Sequence, residues 1–200
     1  MKFLETIEEL EALYAVPGEA AVIKVTDRLT PSYRRWIEAS RFCVLSSVGP
    51  EGTDGSPRGD AGPVARVLDE RTLALPDWRG NQRLDTLRNI LRDGRVSLMF
   101  MVAGSDTVMR VNGRALITAD RAVRAGFGRD GKVPATVIVV EIAEVYPQCA
   151  RAVMRAGLWQ AVDRGQDLPS LGDMLREIKA GFDGAAYDRA WPERARESLW

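Results

Sequence analysis

The connections between apolar segments constrain this chain most. Segments that read as strands are Phe42–Val48, Pro63–Leu68, Thr72–Leu75, Arg95–Val102, Thr107–Thr118 and Ala135–Val145. Short polar turns such as Asp69–Arg71, Asp93–Gly94 and Gly104–Asp106 punctuate them. A parallel, doubly wound sheet needs a helical crossover after nearly every strand. This chain has one good crossover candidate, Asn81–Arg92. The pattern therefore predicts an α+β, mainly β fold: an antiparallel barrel with helices packed outside.

The helices follow from local signals. Thr6–Tyr14 reads as a short amphipathic helix broken by Pro17–Gly18. Leu29–Ala39 reads as a second, with Thr30 as N-cap, Pro31 in the first position and Tyr33, Trp36 and Ile37 on one face. Asp120–Phe127, Cys149–Leu158 and Ser170–Phe182 are further helix candidates, and Gly49–Gly55 and Asp163–Pro169 read as loops. Asn112–Gly113 interrupts the long strand, where a bulge or a close ligand would fit. No repeat, low-complexity tract or linker divides the chain. One domain is expected over residues 1–200, with helical segments at 1–40 and 149–200.

Composition narrows the chemistry. The 200 residues hold 28 basic and 28 acidic side chains, so no global field draws the chain to nucleic acid or acidic membranes. Arginine outnumbers lysine 24 to 4, the mark of a GC-rich genome rather than of phosphate binding. There is no histidine, which removes Ser-His-Asp and Cys-His sites and histidine-ligated zinc or haem. No metal site is expected. Cys43 and Cys149 lie far apart, and the acidic N-terminus does not read as a signal peptide, so a reduced, cytoplasmic setting is the expectation. No apolar run approaches the roughly 18 residues of a membrane span.

Leu75–Asn89, LPDWRGNQRLDTLRN, carries the sharpest functional signal. It reads as a strand end, a polar turn at Arg79–Gly80–Asn81, and a helix with Leu84, Leu87 and Leu91 at helical spacing on a buried face. Asn81 is the expected N-cap, with Arg79 and Arg83 in the first turn. Cations there oppose the positive helix N-terminus unless an anion, most simply a phosphate, sits between them. Trp78, inside the same turn, is a candidate to stack on an aromatic ligand. Trp159 and Trp200 read as core or interface.

Other motifs have bland readings beside the sharp ones. Gly126–Gly131 matches G-x-G-x-x-G, but a helix precedes it and Pro134 and a strand follow, so it reads as a glycine-rich loop. Arg58 and Asp60 in SPRGD offer a donor and an acceptor beside Gly59, or simply a surface ion pair. Arg110 and Asn112 share a strand face, either solvated or facing a ligand. Ser46–Ser47 bonds a ligand or the next turn. Cys149 at a helix start is either a reactive thiol or a buried structural cysteine. Nothing supplies a general base, which favours the second.

Together these segments resemble the FMN-binding split-barrel superfamily typified by pyridoxamine 5'-phosphate oxidase, and in particular a bacterial subgroup of unassigned substrate. The carrying residues are Phe42–Val48, SPRGDAG at Ser56–Gly62, LPDWRGNQRLDTLRNIL at Leu75–Leu91, RVSLMF at Arg95–Phe100, MRVNGRA at Met109–Ala115 and RAGLW at Arg155–Trp159. The resemblance implies a six-stranded antiparallel split β-barrel with peripheral helices, and a homodimer with two FMN sites at its interface. It implies phosphate contacts from Arg79–Asn89, with Arg79, Asn81 and Arg83 foremost. It places Arg58–Gly62 along the flavin, and Arg110 and Asn112 near the ring from the partner subunit. Two features depart from it. The vitamin B6 oxidases hold substrate phosphate with a C-terminal segment containing Arg and His, whereas this chain ends ERARESLW. Gln148 stands where the subgroup carries a histidine before the cysteine.

The leading expectation is an FMN-dependent oxidoreductase acting on a small molecule. The flavin would carry electrons while the protein binds and orients. Lacking an evident base, the sequence suits hydride transfer better than proton abstraction. The alternatives are a flavin store, sensor or redox partner without turnover, and a site for the deazaflavin F420. Haem is disfavoured by the missing histidine. Nucleic acid is disfavoured because the arginines from Arg79 to Arg95 alternate with Asp77, Asp85 and Asp93.

Overall fold

The elements run, in chain order, α1 (Ile7–Glu11), α2 (Glu19–Ile23), α3 (Pro31–Ala39), β1 (Phe42–Gly49), β2 (Gly52–Gly59), β3 (Arg66–Val67), β4 (Thr72–Asp77), α4 (Asp85–Arg92), β5 (Arg95–Met101), β6 (Val108–Thr118), α5 (Arg121–Ala125), β7 (Thr136–Gln148), α6 (Arg151–Ala156), α7 (Leu171–Ile178) and α8 (Gly184–Ser198). This is a computed structural model, and it describes residues 1–160, 165 and 167–198, with side chains to 196. Trp200 and part of the Asp163–Pro169 segment lie outside the described residues.

The strands form one antiparallel sheet in the order β2-β1-β5-β6-β7-β4-β3. It has seven strands rather than six. The addition is β2, where Gly49–Gly55 reads as a loop. GTDGSPRG has poor strand propensity, yet it pairs with β1 over its whole length, from Phe42↔Gly59 to Gly49↔Gly52. An edge position permits this, because Pro57 there need not donate to a second neighbour. Pro63–Leu68 contracts to the two-residue β3. The sheet curls so that its two ends approach: Arg58 of β2 forms an ion pair with Asp77 of β4.

Alternation builds the core. Cys43 and Leu45 of β1 and Leu98 and Phe100 of β5 are fully buried, and Val96 nearly so. On β6 and β7, Met109, Val111, Val140 and Val145 join them. The expected interruption of β6 is present as a register shift at Asn112/Gly113, which skips Ala143 of β7. A side chain on Gly113 would lie 2.0 Å from the Glu141 carbonyl oxygen, so only glycine fits the bulge.

Helix α3 forms as its caps dictate: Thr30 Oγ1 accepts from Tyr33 N at 3.2 Å, Pro31 leads, and Ile37 is buried. Helix α4 departs from expectation. Its N-cap is Leu84, not Asn81, so Arg79 and Arg83 precede the helix rather than occupy its first turn. Its buried residues are Thr86, Asn89 and Ile90, while Leu84 and Leu91 are exposed. The reason lies in the surface it covers. Asn89 Nδ2 donates to Ser47 Oγ at 3.1 Å, and Thr86 Oγ1 donates to Asp54 Oδ2 at 2.5 Å. Asn89 also occupies the space that a side chain on Gly49 would need. Polar partners on β1 and β2 therefore outweigh the leucine spacing.

The short α2 and the 15-residue α8 had no counterpart in the sequence reading. Helix α7 carries a capping box at Ser170 and Asp173. Among the described residues, no helix is long and apolar enough to cross a membrane.

Candidate functional site

The gap where the curled sheet fails to close is the site. It is a cleft of about 1280 Å³ lined by β2, the end of β4, the loop into α4, and residues flanking the start of β7. That volume is ample for a cofactor-sized ligand, for which cavities of roughly 300–1,000 Å³ are usual. On β2, Asp54, Ser56 and Arg58 alternate with exposed neighbours, and Asp60 continues the row, all four lining the cleft.

Arg58 and Asp60 do not pair with each other. Arg58 Nη1 donates to Asp77, with side chains 18% and 13% exposed, and this pair ties the two ends of the sheet. Arg58 Nε is buried without a hydrogen-bond partner among the described residues. A buried guanidinium N–H left unbonded in a cleft wall invites an acceptor from a ligand. Asp60 instead bonds Arg129 Nη2 at 2.7 Å, Gly62 N at 2.9 Å and Trp78 Nε1 at 3.1 Å.

The loop from Arg79 to Leu84 carries backbone strain. Gln82 and Leu84, neither a glycine, have φ of +61° and +63°. Such conformations cost roughly 1–3 kcal/mol each and gather at ligand clamps. They bracket Arg83, whose Nε donates to Asp85 Oδ2 at 2.9 Å. Asn81 does not cap the helix; its Oδ1 accepts from Arg83 N at 3.1 Å and tightens the loop. Arg79 is engaged by no hydrogen bond or ion pair among the described residues.

The cleft wall holds five cations (Arg58, Arg79, Arg83, Arg124, Lys132) against four carboxylates (Asp54, Asp60, Asp77, Asp85). Every carboxylate is taken by a protein donor: Asp54 by Thr86, Asp60 by Arg129 and Trp78, Asp77 by Arg58, Asp85 by Arg83. The surplus is positive: among the described residues Arg79, Arg124 and Lys132 have no carboxylate partner, Arg124 Nε donating instead to the Pro134 carbonyl at 2.8 Å. The donor set fits an anionic ligand with a planar ring: cations without carboxylate partners, an indole in the same wall, and a buried unbonded N–H on β2.

The structure thus brings Arg58, Asp60, Trp78, Arg79, Asn81 and Arg83 to one cleft. It does not bring Arg110 and Asn112 there within one chain. Asn112 Nδ2 donates to Glu144 Oε1 at 2.6 Å, and Arg110 lies over the Tyr146 ring at 5.5 Å, on the sheet face away from the core. Ser47 bonds Asn89 rather than a ligand. Cys149 is exposed, correcting its reading as a buried structural cysteine, and precedes α6 without belonging to it. Cys43 is the buried thiol: burial pushes it up to about 12, opposed by the nearby Arg58 guanidinium. Trp159 donates to Ser105 O at 2.7 Å, away from the cleft.

Sequence reasoning missed Asp77, Arg124, Arg129 and Lys132. Asp77 was the most accessible, as the acid ending the strand before Trp78. Arg129 lies inside the glycine-rich loop set aside as a false fingerprint, Arg124 and Lys132 flank it, and that loop does sit between a helix and a strand as expected.

Comparisons with known proteins bear on fold and family. A HupZ variant from Group A Streptococcus superposes with a TM-score of 0.50 at 18% identity, over 60% of this chain and 98% of that one. An FMN-binding protein from Syntrophomonas wolfei gives 0.45 at 15% identity, over 58% and 83%. General stress protein 26 from Bacillus anthracis gives 0.43 at 16% identity, over 56% and 88%. Only the first is close enough to bear on the fold, and it supports the split-barrel architecture. No curated protein matches the sequence. The model of the pyridoxamine 5'-phosphate oxidase family matches residues 29–149, most of the chain, and the chain belongs to that family.

Proposed function

We propose that the cleft binds FMN and that the protein is a flavin-dependent oxidoreductase acting on a small molecule. The observation that carries this reading is Arg79, engaged by no hydrogen bond or ion pair among the described residues, in the wall of a cofactor-sized cleft with a surplus of cations. Arg79 and Arg83 would hold the phosphate, with Asn81 shaping the loop that presents them. Arg58 Nε would donate to the flavin, and the Trp78 indole would lie against its ring. Bound FMN would supply two-electron chemistry, while the protein orients the substrate and excludes water.

Membership in the pyridoxamine 5'-phosphate oxidase family supports the cofactor. We further propose a homodimer. Val44, Met99, Arg110 and Tyr146 form a cross-strand row on the outer sheet face, where Arg110 and Asn112 would reach a partner's flavin. Cytoplasmic placement belongs to the same proposal.

One observation favours a second reading, a flavin store, sensor or redox partner without turnover. Each of the four cleft carboxylates already accepts at least one bond from a protein donor, so none stands unengaged as a base.

The first experiment is the visible spectrum of the purified protein, with mass spectrometry of whatever heat releases, and light scattering for the oligomer. Bound FMN and a dimer support the proposal. Released F420 keeps the cleft and changes the cofactor. A colourless protein that takes up no added FMN refutes it. Reduction by NADH or NADPH with a panel of acceptors separates turnover from storage.

A further inference from the structure

The glycine-rich segment Gly126–Gly131 has no part in the proposed phosphate contacts, yet it delivers a side chain to the cleft. Asp130 and Gly131 have φ of +50° and +76°, and Arg129 and Lys132 exchange backbone hydrogen bonds of 2.9 and 2.8 Å. This tight reversal places Lys132 on the cleft wall and Arg129 against Asp60. The Asp60 side chain is 6% exposed. Its Oδ1 accepts from Arg129 Nη2 and Gly62 N, and its Oδ2 accepts from Trp78 Nε1.

A carboxylate offers about four acceptor sites. Protein groups take three of those on Asp60, and Arg129 opposes its charge. Little remains for a ligand. What Asp60 does control is the indole: Trp78 lines the cleft immediately before Arg79, and its one N–H is held by Asp60. We propose that Asp60, anchored by Arg129, is a positioning residue that fixes the Trp78 indole as the stacking wall for the ligand's planar ring. The identity of that ring rests on the flavin reading; the positioning does not.

Asparagine at 60 tests this sharply. An amide has one acceptor oxygen, so Asp60→Asn cannot serve both Gly62 N and Trp78 Nε1 from opposite sides. The first measurement needs no ligand: acrylamide quenching of the Trp78 emission, isolated by subtracting the Trp78→Ala chain. Quenching should rise in Asp60→Asn. The second is riboflavin binding, read by flavin fluorescence. Trp78→Ala should weaken it about tenfold, as loss of an aromatic stack does. Asp60→Asn should weaken it in the parent chain and add nothing in the Trp78→Ala background, since both act through one ring.

Unchanged Trp78 quenching in both Asp60→Asn and Asp60→Ala, the second of which leaves the indole no acceptor at position 60, overturns the proposal. So does an equal loss of riboflavin affinity in both backgrounds, which would mean that Asp60 touches the ligand itself. Parent protein that binds neither riboflavin nor FMN, while Asp60→Asn still loosens Trp78, supports the positioning and overturns only the flavin reading. Should Asp60→Asn fail to fold, Arg129→Ala removes the anchor but leaves the acceptor, and the same rise in quenching is expected.

Discussion

Arg79→Ala is the decisive perturbation of the phosphate assignment. Arg83 is the less informative target, because its removal also strips Asp85 of its partner at 2.9 Å. Arg79 holds nothing among the described residues, so its loss should leave stability unchanged and act only on the ligand. A hydrogen bond to a charged group contributes about 1.5–3 kcal/mol, which corresponds to about 10- to 150-fold in affinity. Arg79 is exposed, so the lower half of that range applies and the effect should shrink as salt rises. The assay is parallel titration with FMN and riboflavin, followed by flavin fluorescence at low and high salt. FMN affinity should fall at least about tenfold while riboflavin, lacking the phosphate, changes by less than about twofold. Equal losses for the two ligands, or a salt-independent loss, would refute the reasoning and remove Arg79 from the phosphate.

Four further outcomes follow from the fold. Asp77→Ala leaves the Arg58 guanidinium largely buried without its counterion across the split, and should lower urea stability by about 2–3 kcal/mol, the partial exposure reducing the usual cost. Gly113→Ala drives a Cβ into the Glu141 carbonyl at the β6–β7 bulge; a loss of about 2–4 kcal/mol is expected, and a neutral result would contradict the register described. At mildly alkaline pH a thiol reagent should label Cys149 rapidly and Cys43 only on denaturation. Because the folded Cys43 thiol is raised to about 12 while the unfolded one ionises near its ordinary value, the stability tied to its protonation is complete below that value and declines as pH rises toward 12.

Much of the frame was legible because its signals are local. Pro31 and Thr30 start α3 by chain chemistry alone, and Asn112–Gly113 marks the bulge because an interior glycine weakens a strand unless backbone approaches it closely. Helix α4 misled because leucine spacing reports a buried face only when the opposing surface is apolar. Here Ser47 and Asp54 lie opposite, so Thr86 and Asn89 turn inward. Strand β2 was missed because GTDGSPRG forms a strand only by pairing with β1, and propensity does not encode a neighbour.

The sequence by itself determined the all-antiparallel, helix-flanked architecture and the stretch from Trp78 to Arg83 that lines the cleft. Periodicity, turn residues and caps act within a few positions of themselves, so they can be read without the fold. Tertiary structure decided which partner each charge took. Arg58 bonds Asp77, 19 residues away, rather than Asp60, and Asp60 bonds Arg129 from the glycine-rich turn. Those pairings exist only because the sheet curls until its ends meet across the split. Closure of that kind is a property of all seven strands together, and no short segment carries it.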